Sequence, residues 1–139
     1  MRIVGGKYRH RLIVFPDDME HTRPTKDRIR EAIFSALNNI NNFNVLDLYA
    51  GSGAMGLEAL SRGAKFCAFV DVSNLAIKVI KDNINNLKIN ETEYQLIKDK
   101  DTRQALMFVS GQDVQFDNNK DFICTLTYTF DICEDKLNL

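Results

Sequence analysis

Asp47-Leu48-Tyr49-Ala50-Gly51-Ser52-Gly53-Ala54-Met55-Gly56 is the stretch whose reading decides the fold. It holds G-x-G-x-x-G directly after a short apolar run, Val45-Leu46-Asp47-Leu48-Tyr49, and directly before a helical pattern from Ala54 to Ser61 that Arg62-Gly63 ends. That context gives an otherwise weak motif its meaning: a buried strand, a tight glycine turn and a helix whose first N–H groups face whatever lies over the turn. Gly51 and Gly53 let the backbone turn sharply and approach a ligand closely, since neither carries a Cβ.

Outward from this turn the grammar is alternating strand and helix. Lys65 to Asp71 reads as a second buried strand, and Asn74 to Leu87 as a long helix with Leu75, Ile77, Val79, Ile80, Ile84 and Leu87 on its buried side. Tyr94 to Ile97 reads as a third strand, and Thr102 to Val109 as a third, short helix. The expected class is α/β, a doubly wound parallel sheet. Phe122 to Cys133, rich in Thr, Ile, Phe and Tyr, reads as a strand or a bent pair of strands.

Before the turn the chain differs in character. Arg2 to Val14 alternates around Gly5-Gly6 and reads as two short strands, a hairpin-like arm; Phe15 to Thr22 reads as a loop. Thr25 is the expected N-cap of a helix from Lys26 to about Leu37, with Ile29, Ile33, Phe34 and Leu37 on its apolar face and Arg28, Arg30 and Glu31 on a solvated one. Asn38 to Asn44, with five asparagines in seven residues, reads as a helix end or linker. The division expected is 1–43, a basic arm and helix, and 44–139, the α/β unit.

The 139 residues are 45% hydrophobic and 27% charged, which suits one soluble domain and excludes disorder, collagen or coiled coil as whole-chain descriptions. The apolar runs are far shorter than the ~20 residues of a membrane-spanning helix, and the N-terminus has no apolar stretch of signal-peptide length, so the expectation is a cytoplasmic protein without membrane contact. Three cysteines, Cys67, Cys124 and Cys133, with no C-x-x-C spacing, predict neither a disulfide framework nor a metal site. Net charge is −1, yet residues 1–36 carry eight Lys/Arg against five acids. The basic arm Arg2, Lys7, Arg9 and Arg11, with Tyr8 and His10 interleaved, can hold phosphates while a ring stacks on a base; the alternative is a solvated edge whose cations discourage sheet pairing.

Asp71, twenty residues after Gly51 and at the end of the second strand, is placed to accept both hydroxyls of a ribose. A dinucleotide such as NAD and S-adenosylmethionine share this geometry. Asp47, four residues before Gly51, would repel a pyrophosphate and attract the ammonium and sulfonium of S-adenosylmethionine, which favours the latter; alternatively Asp47 only hydrogen-bonds the turn.

Three blocks in one order, Arg2-Ile3-Val4-Gly5-Gly6-Lys7-Tyr8-Arg9, Arg23-Pro24-Thr25-Lys26-Asp27-Arg28-Ile29-Arg30-Glu31, and Asp47 to Gly56 continuing through Leu57-Glu58-Ala59-Leu60-Ser61-Arg62-Gly63-Ala64, together resemble the bacterial 16S rRNA guanine-N2 methyltransferase family called RsmD. The resemblance covers about residues 1–90. It implies a Rossmann-like class I methyltransferase fold and methylation of the exocyclic amine of a guanine in 16S rRNA or a small-subunit assembly intermediate. By motif matching, Asp47, Ala50, Gly51, Ser52 and Gly53 would cradle the methionine part of S-adenosylmethionine and Asp71 with Val72 the ribose. Arg23, Pro24 and Thr25 match the segment that closes over the cofactor, and Arg2, Lys7, Tyr8, Arg9 and Arg11 match the RNA-facing element.

The family's catalytic motif, Asp or Asn, then Pro, Pro, then Tyr or Phe, holds the target amine and stacks on the flipped base. The chain has only Pro16 and Pro24, so that motif is absent; Phe130-Asp131-Ile132-Cys133 is the nearest run, with Tyr128, Phe130 and Asp131 the local candidates. No catalytic residue is assigned. The expectation is an incomplete parallel sheet with an open edge and an uncovered apolar face, as in a truncated or frameshifted chain, with a possible second polypeptide supplying the missing C-terminal half. The alternative is a catalytically inactive remnant that at most binds S-adenosylmethionine or RNA.

Overall fold

The structure, a computed structural model, describes residues 1–15 and 26–98 in full and the backbone of 106–110, 114–116 and 122–124. Arg23, Pro24, Thr25, Tyr128, Phe130, Asp131 and Cys133 lie outside the described residues.

The three runs read as buried strands form β1 (Phe43–Leu48), β2 (Phe66–Asp71) and β3 (Tyr94–Lys98), joined by α2 (Ala54–Ser61) and α3 (Asn74–Leu87), with α1 (Asp27–Leu37) ahead of them. β1 and β2 run parallel with Val45 opposite Cys67 and Leu48 opposite Val70, and β2 and β3 run parallel with Cys67 opposite Tyr94. The connection that joins parallel neighbours is a helix in each case, as a crossover requires.

Beyond β3 the expected third helix is not seen, and an antiparallel strand joins the three parallel ones. Leu106–Ser110, whose residues up to Val109 fall in the helix expected over Thr102 to Val109, is a strand, β4, and it lies antiparallel beside β1 with Val109 opposite Asn44, giving the order β3-β2-β1-β4. Short apolar runs do not declare their period, and Leu106-Met107-Phe108-Val109 fits a buried strand as well as a helix turn. Val114–Phe116 (β5) and Phe122–Cys124 (β6) pair antiparallel in a second, two-stranded sheet, so the strand expected from Phe122 is present at its start.

α1, α2 and α3 pack on one face of the sheet. Phe34, Leu57, Leu60, Ile80, Ile84 and Leu87 meet Val45, Cys67 and Phe69 there. The opposite face, Leu46, Ala68, Val70 and Ile97, is also buried, so the expected uncovered apolar face is not seen at these positions. Ile3 and Ile13 of the arm and Ile40 of the asparagine-rich linker enter the same core as Val45 and Phe69, so residues on both sides of position 43 share one core. The linker turns through Asn38 and Asn42, both at positive φ (63° and 65°), where asparagine is found more often than most residues.

Within the helices the expected faces are partly redrawn. The buried stripe of α3 is Ala76, Val79, Ile80, Asn83, Ile84 and Leu87, while Leu75 is 36% exposed and Ile77 is half-buried. α1 begins one residue later than expected, with Lys26 as an N-cap that makes no side-chain bond. Arg30, read as solvated, is fully buried, whereas Ile29 is exposed.

The arm is hairpin-like, as expected, but a single bridge stands where two short strands were expected. Its antiparallel bridge pairs Arg2 with Leu12, Ile3 N–H donates to Arg11 O, Ile13 N–H donates to Met1 O, and the turn spans Lys7 to His10 rather than Gly5-Gly6. Gly5 and Gly6 instead lie against the end of α2: a Cβ on Gly6 would sit 1.9 Å from Ser61 O. Only a residue without a side chain allows that approach.

Candidate functional site

The site is built at the ends of β1 and β2 where the chain enters α2 and α3. Tyr49 leaves β1 at φ 54°, followed by Gly51 at φ 59° and Gly53 at φ 81°, and Gly53 is the N-cap of α2. The third glycine has a different task. A Cβ on Gly56 would fall 2.3 Å from the Phe69 ring and 2.6 Å from Cys67 Sγ, so Gly56 lets α2 lie close on β2.

Two carboxylates hold this turn. Asp71, at the end of β2 and 9% exposed, accepts Gly51 N–H (2.9 Å) through Oδ2 and Ser73 N–H (2.9 Å) through Oδ1. Asp47, on β1 and 4% exposed, accepts Gly56 N–H through Oδ2 at 2.9 Å in the first turn of α2. Asp47 Oδ1 has no protein donor among the described residues and is not sealed from solvent. Burial pushes the Asp47 carboxyl up to about 7, with the Gly56 hydrogen bond opposing and the charge of Asp71 adding to the rise. Burial first, then Asp47, likewise raises the Cys67 thiol well above its ordinary range, which leaves it an inert core residue.

The backbone donors of the turn divide into two sets. Ala50 N–H donates to Val70 O, Gly53 N–H to Ala50 O, and Gly51 and Gly56 to the two aspartates. The N–H groups of Ser52, Ala54 and Met55 have no hydrogen-bond partner among the described residues. Three free donors at a helix start, beside one buried acid with an open oxygen, can receive a ligand that carries a carboxylate and a cation together. Tyr49 and Val72, 39% and 42% exposed, flank that mouth.

The sequence-derived site residues therefore separate. Asp47, Ala50, Gly51, Ser52, Gly53, Asp71 and Val72 come together around one turn. The arm stands behind it, anchored to the far end of α2. Glu58, fully buried, accepts Val4 N–H (2.9 Å) and Gly5 N–H (3.1 Å), while Ser61 Oγ accepts Tyr8 N–H (2.9 Å) and Ser61 O accepts Lys7 N–H (2.8 Å). Arg2 N–H donates to Asp27 at 3.4 Å. Arg11 Nη2 donates to Asn86 O (2.8 Å) near the end of α3, and Lys7 pairs with Glu93 at 3.4 Å and lies over the Tyr8 ring. Tyr8 itself packs against the core. Arg9 and His10 present side chains with no partner among the described residues.

Three residues escape the sequence reading. Arg30 reaches across from α1 to Arg2 O and stands 4.0 Å from Glu58, and Arg62 Nε lies 3.3 Å from Glu58, so one buried acid joins the second and third sequence blocks. The signal for both Arg30 and Glu58 is a charge on an otherwise apolar helical stripe. Asn83 is the third, marked by its position between Ile80 and Leu87 on the buried stripe of α3.

A glycine turn after β1, an acid closing β2 and helices α2 and α3 crossing between parallel strands define a Rossmann-like fold of the methyltransferase class. The chain belongs to the family described as conserved hypothetical protein 95, whose model matches residues 1–118. It is 35% identical over 116 residues to ribosomal RNA small subunit methyltransferase D of Escherichia coli, covering 78% of this chain and 58% of that protein, in keeping with the RsmD resemblance. It is 28% identical over 162 aligned positions to an uncharacterized methylase of Rickettsia prowazekii, covering all of this chain and 67% of that one. The solved structure of Escherichia coli yhhF superposes with a TM-score of 0.63 at 33% identity, over 72% of this chain and 52% of that one. The chain thus spans about three fifths of the length of the E. coli relative.

Proposed function

We propose that this chain binds S-adenosylmethionine at the Gly51–Gly53 turn and takes part in methylating the exocyclic N2 of a guanine in small-subunit ribosomal RNA. The observation that carries the reading is the pairing of unlike groups at one turn: the free N–H groups of Ser52, Ala54 and Met55 beside the open oxygen of Asp47. An α-amino acid end needs both, donors for its carboxylate and an acid for its ammonium. A pyrophosphate needs only donors, and a buried carboxylate next to it is repulsive. This favours S-adenosylmethionine over NAD. Asp71 and Val72 would take the ribose, with Asp71 still free to accept through the second lone pairs of its two oxygens. When bound, the sulfonium supplies an electrophilic methyl group.

The exposed Arg9 and His10, with the arm fixed on α2, support an RNA-facing role for residues 2–11; Arg11, Lys7 and Tyr8 also serve the packing of the arm. The Escherichia coli relative carries a ribosomal RNA small subunit methyltransferase name, which supports small-subunit RNA or an assembly intermediate as partner. None of the 139 residues matches the Asp/Asn-Pro-Pro-Tyr/Phe motif, so the part proposed for this chain is to supply the cofactor and RNA surfaces. No helix among the described residues is long and apolar enough to cross a membrane, and on this reading the reaction belongs in the cytoplasm with the ribosomal RNA.

Separate calorimetric titrations with S-adenosylmethionine and NADH test the cofactor, and methyl transfer to undermodified small-subunit RNA tests the chemistry. Micromolar binding of S-adenosylmethionine alone is expected. NADH binding of equal strength would overturn the reading, and cofactor binding with no transfer in any complemented extract would leave a binding remnant.

A further inference from the structure

Asn83 lies on the buried stripe of α3, 1% exposed, and its carboxamide is bonded on both sides. Oδ1 accepts Val14 N–H at 2.8 Å; Nδ2 donates to Val14 O at 3.1 Å and to Ser52 O at 3.0 Å. Both amide hydrogens are thereby used, which is the full donor capacity of the side chain. Toward Val14 the carboxamide behaves as a neighbouring strand would, taking the N–H and giving to the C=O of one residue. Toward Ser52 it fixes the carbonyl of the residue between Gly51 and Gly53.

Ser52 is also one of the three residues whose N–H is free among the described residues. The peptide plane that carries the Ser52 carbonyl carries the Gly53 N–H, and the rotation of Ser52 about its own Cα relates that carbonyl to its free N–H. With glycine on both sides, the turn has few side-chain contacts of its own to set this rotation. Asp71 fixes the chain before Ser52 through Gly51 N–H, and Asn83 fixes the plane after it. The arm meets the same helix twice, at Asn83 through Val14 and at Asn86 through Arg11.

We infer that Asn83 is a positioning residue for the cofactor turn, holding Ser52 in its ligand-accepting orientation and locking that turn in register with the outgoing half of the basic arm. The inference rests on the cofactor reading above. It makes cofactor affinity depend on a side chain that touches no cofactor, and it makes the arm and the turn loosen together.

The test uses the full chain with Asn83→Leu and Asn83→Asp, both close to asparagine in size, and Ile84→Ala as a control that destabilises the same helix without touching the turn. Asn83→Leu is expected to weaken S-adenosylmethionine about tenfold, the equivalent of one net hydrogen bond, and Asn83→Asp, which opposes an acceptor to Ser52 O, by more. Ile84→Ala is expected to lower the melting temperature and leave the affinity of the folded protein unchanged. Amide hydrogen exchange supplies a readout without ligand: in Asn83→Leu, Val14 and Gly53 should lose protection together, and in Asn83→Asp, whose carboxylate still accepts Val14 N–H, Gly53 should lose protection. Wild-type affinity in the Asn83 variants, or loss of protection at Val14 alone, would overturn the inference. If the wild-type chain binds no S-adenosylmethionine, the cofactor reading falls, and the joint or separate response of Val14 and Gly53 still decides whether Asn83 positions the turn.

Discussion

Replacing Asp47 by asparagine should make the protein more stable and disarm the site at the same time. The folded carboxyl titrates at about 7 because it is buried, against 3.8 for an aspartate in water. Between those two pH values the folded chain keeps a proton that the unfolded chain has released, so raising the pH through the window costs stability. The loss is about 1.36 kcal/mol per pH unit, about 4 kcal/mol over roughly three units, complete a little above pH 7. The Asp47→Asn variant avoids that loss, and its amide oxygen can still accept Gly56 N–H in place of Asp47 Oδ2. The new amide nitrogen would lie where Asp47 Oδ1 now stands without a protein donor among the described residues, buried with no acceptor opposite, at a cost of about 1 kcal/mol. The net expectation is a gain of about 3 kcal/mol at pH 8, vanishing or reversing at pH 4. Urea denaturation of both chains at the two pH values measures it, with S-adenosylmethionine titration alongside. Equal differences at pH 4 and pH 8, or a variant less stable at pH 8, would refute the reasoning about burial.

Three further expectations follow from the same contacts. S-adenosylmethionine affinity should fall about fivefold from pH 7 to pH 6 and about tenfold more by pH 5, as Asp47 takes up its proton and can no longer face an ammonium; a flat calorimetric profile would contradict this. Glu58→Ala removes the acceptor of two arm N–H groups and the more distant of the two acids beside buried Arg30, whose ion pair with Asp27 remains, so a loss of about 2–3 kcal/mol is expected in urea, with exchange at Val4 and Gly5 rising first. Gly56→Ala forces α2 off β2 and should cost about 1–3 kcal/mol, with much of that recovered when Phe69→Leu is added.

How much can be read in advance depends on whether a position obeys a local rule. The turn from Asp47 to Gly56 and the helices α2 and α3 are legible because glycines, a strand and a helix start coincide there. The side of α3 that faces the core is only partly legible. Leu75 is apolar yet exposed, and Asn83 is polar yet buried, because its partners Val14 and Ser52 lie 69 and 31 residues away. Arg30 misleads in part for the same reason: beside its local ion pair with Asp27 it donates to the carbonyl of Arg2 and lies 4.0 Å from Glu58, neither near it in sequence. Strand β4 is hidden because five apolar-rich residues carry no reliable period, and its pairing with β1 is a long-range choice. At the site, the glycines and both aspartates are foreseeable, whereas the three free N–H groups emerge only once every other donor of the turn has been assigned.

The most direct test follows the backbone amides of the 15N-labelled chain while S-adenosylmethionine is added, in the wild type and in Asp71→Ala. The Ser52, Ala54 and Met55 resonances should shift together at micromolar ligand, and the response should disappear in Asp71→Ala, where Gly51 N–H has lost its acceptor. A folded wild-type chain whose three amides stay in place, or shifts confined to another surface, would contradict it.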